Sequence, residues 1–203
     1  MPTATPRKIR IFVSSPMDVD EERRRMMEVI AVLNRRYVGV VELEGVFWEQ
    51  TVYPAHATFQ AQIDEPSSCN LVVCILWSRL GSPLPAGWPA RPDPDGTPYE
   101  SGTVYEFETA LAARRAGVVP DIYVFRKLLP EDRTALDQLM ESHPAEKLRI
   151  LDYLIRRGSA DSRAGIELLE NFWARWFYSP DKGFIAAFNT FTTADDFNRG
   201  QSF

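Results

Sequence analysis

The sequence predicts an α/β fold, a doubly wound and mainly parallel sheet of five strands flanked by helices. Two observations predict it. Apolar runs of strand length alternate with stretches of helical periodicity, and the run Asn70 to Trp77 is apolar without a break, as a parallel strand covered on both faces must be. The length of 203 residues suits a single domain, residues 1–203.

Taken in order, residues 1–7 are a flexible N-terminus, and "KIRIFVSS" from Lys8 is a β-branched and aromatic first strand. In "PMDVDEERRRMMEVIAVLNRRY", Met26, Val29, Ile30, Leu33 and Tyr37 recur at helical spacing. Asp18 and Asp20 stand where a helix N-terminus favours negative charge, and an arginine pair lies near the far end. "VGVVELEGVF" reads as the second strand, "HATFQAQI" as a short helix ending by Pro66, and "NLVVCILW" as the central third strand. Prolines at 83, 85, 89, 92, 94 and 98 forbid regular structure in a proline-rich loop, residues 82–101. A loop this long in a compact domain points to function.

The loop delivers the chain into "ESGTVYEFETAL", a helix with the stripe Val104, Phe107 and Leu111, and then into a fourth strand, "DIYVF". Residues 130–180 form a helical insertion in which Trp173, Trp176 and Phe177, at helix spacing, are expected in the core. "FIAAFNTF" is the fifth strand, and "TTADDFNRG" opens like a capped helix that has barely begun when the chain stops. The domain is therefore expected to be the N-terminal part of a longer protein.

With 45% hydrophobic and 25% charged residues, the composition is that of a soluble globular domain. A net charge of −5 argues against duplex nucleic acid as a partner, because such a partner demands a basic face. The clusters Arg23–Arg25, Arg35–Arg36, Arg114–Arg115 and Arg156–Arg157 read as solvated faces or helix ends. Cys69 and Cys74 are too few for a disulfide framework, which suggests a reducing, cytoplasmic setting. His56 and His143 build no metal cluster and receive no role. No signal peptide and no apolar segment of the roughly eighteen residues that span a bilayer is found.

A doubly wound sheet gathers ligands at the carboxyl ends of its strands, near the point where strand order reverses. That places "VSSPMD", the stretch from Trp77 and the turn leading to Glu106 in one crevice. Each residue there has two readings. Thr103 to Glu106 matches a capping box, in which Glu106 would serve only its own helix. Ser14, Ser15 and Asp18 would equally cap the first helix, Trp77 would be a strand-end aromatic, and Arg79 a partner for Glu100. Trp48 and Glu49 end strand two in a similar position.

"IFVSSPMDVDEER", "ILWSRLGSPLP" and "ESGTVYEFETAL" together resemble the domain of unknown function 4062, a TIR-like (Toll/interleukin-1 receptor-like) module with a flavodoxin-like sheet, from about Arg7 to Phe125. Met17 stands where the family pattern has glycine. The third segment also resembles nucleoside deoxyribosyltransferases, whose acid, Gly-Thr and glutamate fall on Glu100, Gly102, Thr103 and Glu106. The resemblance implies that Glu106 is a catalytic residue acting at an anomeric carbon, with NAD as substrate rather than cofactor, and no metal. It implies that Ser14 and Ser15 contact ribose or phosphate and that Trp77 and Arg79 line the wall. Glu100 is then a spare acid or ribose ligand, with Thr103 beside it. Implied partners are a nucleotide, further copies of the domain and a fused nucleotide-binding oligomerisation domain. The same resemblance admits a non-enzymatic homotypic interaction module, or a nucleotide sensor without turnover.

Overall fold

The computed structural model describes residues 5–48, 62–94, 96–117, 119–129, 133–157 and 160–199. The expected short helix "HATFQAQI" and Glu49 fall almost wholly outside them, and His56 does so too.

The strands of the main sheet are β1 (Arg7–Ser14), β2 (Val41–Val46), β3 (Leu71–Leu76), β4 (Asp121–Lys127) and β7 (Asn189–Phe191), in the order β2-β1-β3-β4-β7. Every pairing is parallel. The fold class is as the sequence predicts, flavodoxin-like in strand order, and the order reverses between β1 and β3. Helices α1 (Asp20–Arg36), α4 (Pro144–Arg156) and α6 (Ala194–Arg199) pack with one face; α2 (Gly102–Arg115) and α5 (Ala160–Trp176) cover the other. Helix α3 (Arg133–Ser142) packs on α4, and β5 (Tyr178–Ser179) pairs antiparallel with β6 (Gly183–Phe184).

The period of two along each strand sorts the core into two halves. Ile11, Val13, Val73, Ile75 and Phe125 meet Met26 and Ile30 of α1 and Phe197 of α6. Phe12, Val72, Cys74, Leu76 and Val124 meet Val104, Phe107 and Ala110 of α2 and Phe172, Trp173 and Phe177 of α5. The aromatics of α5 are thus core, as their spacing predicts. Trp77 follows Val73 and Ile75 onto the α1 face, and Ser14 follows Phe12 onto the α2 face. The two side chains therefore stand on opposite sides of the sheet.

Three readings need correction. The fifth strand is only Asn189–Phe191 rather than the whole of "FIAAFNTF", because Phe184 has left to pair with Tyr178. Tyr37 does not extend the buried stripe of α1; it is exposed at the helix C-cap, where the chain turns away. Arg23 is not a solvated cation but is 3% exposed. The final helix is capped as expected, Thr193 Oγ1 accepting from the Asp196 amide at 3.1 Å.

Candidate functional site

The loop leaving β1 and the loop leaving β3 diverge at the strand-order reversal, and the start of α2 closes the gap between them. The result is a cavity of about 200 Å³ lined by Ser15, Met17, Arg79, Thr103 and Glu106, with Trp48, Ile63 and residues 81–85 completing the wall. The three segments that the sequence placed in one crevice do converge.

Glu106 does not cap its helix. The N-cap of α2 is Ser101, in extended backbone, whose Oγ accepts from the Val104 amide at 3.3 Å and donates to the Leu80 carbonyl. Thr103 is therefore already helical, and Glu106 lies in the second turn, out of reach of the orphan amides that a capping box satisfies. Its carboxylate is instead held by the end of β1 beneath the helix: Ser14 Oγ donates to Glu106 Oε2 at 2.6 Å. Ser14 is 1% exposed and Glu106 7%. Cys74, opposite Ser14 in register, lies beneath them. Burial and the neighbouring Glu106 charge push its thiol up to about 12, against a smaller opposing influence of Ser14, so it stays a neutral thiol rather than a nucleophile.

The β1 loop is fixed by Arg23, which donates through Nη1 to Ser15 Oγ at 3.2 Å and to the Pro16 carbonyl, and stacks over Trp48 at 5.4 Å. No side chain caps α1 or the 3-10 turn before it, so Ser14, Ser15 and Asp18 are not caps. Asp18 Oδ2 accepts from the Ser78 amide and hydroxyl at 2.9 and 2.7 Å, tying the β1 loop to the β3 loop.

The proline-rich loop is anchored by its own arginine. Arg91, 5% exposed, makes a two-pronged pair with Glu108 of α2 (2.8 and 3.0 Å), a further bond to Glu100, and stacks on Tyr99 at 4.8 Å. Gly81 starts the loop at φ +88°, where a Cβ would stand 2.9 Å from Thr103 Oγ1. Glycine is required there for both reasons.

Of the residues the sequence nominated, Ser15, Arg79, Thr103 and Glu106 line the cavity, and Ser14 backs Glu106. Trp77 and Glu100 do not. Strand parity turns Trp77 to the other face, where it stacks on Tyr153 at 5.1 Å, and Arg91 draws Glu100 into the loop. The expected Arg79–Glu100 pair is not made, for the same reason. Arg23 and Arg91 were missed; Arg23 lies three and seven residues before Met26 and Ile30, on the buried stripe, which was a usable signal.

A second cluster occupies the α1 face of the same strand ends. Lys127 Nζ lies 2.9 Å from Glu22 Oε1, 2.6 Å from Glu146 Oε2 and 4.7 Å from the centroid of Trp77. Arg149 adds contacts to Glu22 at 3.4 Å and Asp20 at 3.2 Å.

The family model described as Domain of unknown function (DUF4062) matches residues 10–153. The chain belongs to this family. No curated protein matches it. The matched span of this DUF4062 domain extends past Phe125 through α3 and into α4, so it includes Glu146, Arg149 and Tyr153, which complete the second cluster. Among the described residues no group of three or more His, Cys, Asp or Glu stands where a metal ion would be held, and no helix is long and apolar enough to cross a membrane.

Proposed function

We propose that this DUF4062 domain is a TIR-like effector or signalling module in which Glu106 promotes cleavage of the glycosidic bond of NAD or a related nucleotide. One observation carries the reading: Glu106 is a buried carboxylate at the strand-order reversal, lining a cavity and held by Ser14 rather than serving its own helix. When the bond between C1′ of ribose and the nicotinamide nitrogen breaks, its electron pair neutralises the cationic ring, which leaves without a proton. Positive charge builds on the sugar, and a fixed carboxylate stabilises it. Water then supplies the hydroxyl at C1′, and its remaining proton passes to solvent.

The cavity falls below the roughly 300–1,000 Å³ of pockets that enclose drug-sized ligands, so it suits one ring and not a whole dinucleotide. The remainder of such a substrate would lie outside, beneath a second copy of the domain. Self-association is supported by the apolar face of α4, where Leu148 and Ile155 are 76% and 75% exposed. That face also favours the second reading, a homotypic interaction module without turnover.

Nicotinamide release from NAD, measured with the domain dilute and then clustered on an oligomeric scaffold, tests the proposal. Release that rises with clustering and vanishes in Glu106→Ala supports it; equal release with and without Glu106 removes this residue from the mechanism.

A further inference from the structure

We infer that the ligand carries a phosphate on the sugar that enters the cavity, and that Arg79 recognises it. The inference rests on the reading of the cavity as a sugar site and assigns recognition of the nucleotide's sugar phosphate to one residue.

Arg79 lines the same cavity as Glu106, yet its Nε is buried with no hydrogen-bond partner and the side chain joins no ion pair among the described residues. Glu106, the acid of the same cavity, accepts from Ser14 and forms no ion pair with Arg79. Asp18 is bound by Ser78, and Glu100 and Glu108 are held by Arg91. A guanidinium left partly desolvated and unpaired is costly unless an anion completes it. Its planar fork of donors fits two oxygens of one phosphate.

The wall beside it has the same sign. Helix α2 begins there with Gly102 and Thr103; the Gly102 and Val104 amides are bonded to the Ser82 carbonyl and Ser101 Oγ, but the first turn holds no acid, so its positive end meets no negative side chain in that turn. Met17, Leu84 and Pro85 supply apolar walls, which reduce screening of both charges. The cavity thus pairs a carboxylate, held toward Ser14, with a cation and a helix N-terminus. A ribosyl group that becomes cationic at C1′ and is anionic at its phosphate matches that arrangement.

Calorimetric titration of ribose, ribose 5-phosphate and inorganic phosphate tests the inference without requiring turnover. Ribose 5-phosphate should bind about tenfold or more tightly than either of the others. Arg79→Met should bring the two sugars within about twofold, and Arg79→Lys should retain part of the preference. Equal binding of the two sugars, binding of neither, a preference that survives Arg79→Met, or inorganic phosphate matching the sugar phosphate would each overturn it. Failure of nicotinamide release with the phosphate preference intact would count against the glycosidic reading alone.

Discussion

At the carboxyl edge of one sheet, the α1 face closes its carboxylates against cations, whereas the α2 face leaves one lining a cavity. Glu22 and Glu146 meet Lys127, and Trp77, stacked on Tyr153, lies over its ammonium, so the carboxylates there share a buried cation. Glu106 sits across the sheet at comparable burial, but a serine hydroxyl holds it and a cavity opens beside it. Burial alone therefore does not separate a structural acid from a candidate functional one. The adjacent cavity does.

The largest effect expected of that contrast is on stability. Lys127→Met strands Glu22 and Glu146 as two buried carboxylates without their shared ammonium, and should cost about 3–5 kcal/mol in urea unfolding. A loss below about 1 kcal/mol would erase the distinction between the two faces. Arg91→Ala comes next, at about 2–3 kcal/mol, since it leaves the largely buried Glu108 with only the longer contact to Arg175 at 3.9 Å. Limited proteolysis should then cut within residues 82–101, and an uncut loop would show that Arg91 is not its anchor.

Gly81→Ala should cost about 1–2 kcal/mol, from a positive φ and the 2.9 Å approach to Thr103, and should weaken ligand binding at the cavity more than it disturbs the opposite face. The pH response sharpens the same comparison. Burial raises the Glu146 carboxyl, but the hydrogen bond and charge of Lys127 prevail and hold it below its ordinary value. A depressed carboxyl stabilises the fold above its unfolded value, near 4.3, and that contribution is lost as pH falls through the lower folded value. The Lys127 cluster should therefore loosen below about pH 4.3, read as a change in Trp77 fluorescence that Glu146→Gln abolishes.

The sheet was legible because its strands are apolar runs of the right length, and "NLVVCILW" could hardly be anything but central. The convergence of loops on Glu106 was legible from the alternation of elements and the rule that ligands collect where strand order reverses. Of the two readings of Glu106, the capping box fails because Ser101, two residues before Thr103, takes the N-cap and also closes the loop onto Leu80, a contact no local pattern reveals. Trp77 was assigned to the wrong wall because its parity with Val73 and Ile75 was not followed to the end of the strand. The Lys127 cluster joins residues far apart in the chain, each an ordinary charge in its own segment, so only the packing of α1 and α4 around β4 makes it.

The central claim is that Glu106 is kept for chemistry and not for folding, and one paired measurement on Glu106→Gln tests it. The unfolding midpoint should stay close to that of the parent, within about 1 kcal/mol of stability, while nicotinamide release by the clustered domain falls to background. A variant that releases nicotinamide as fast as the parent, or that loses as much stability as Lys127→Met, would contradict the claim.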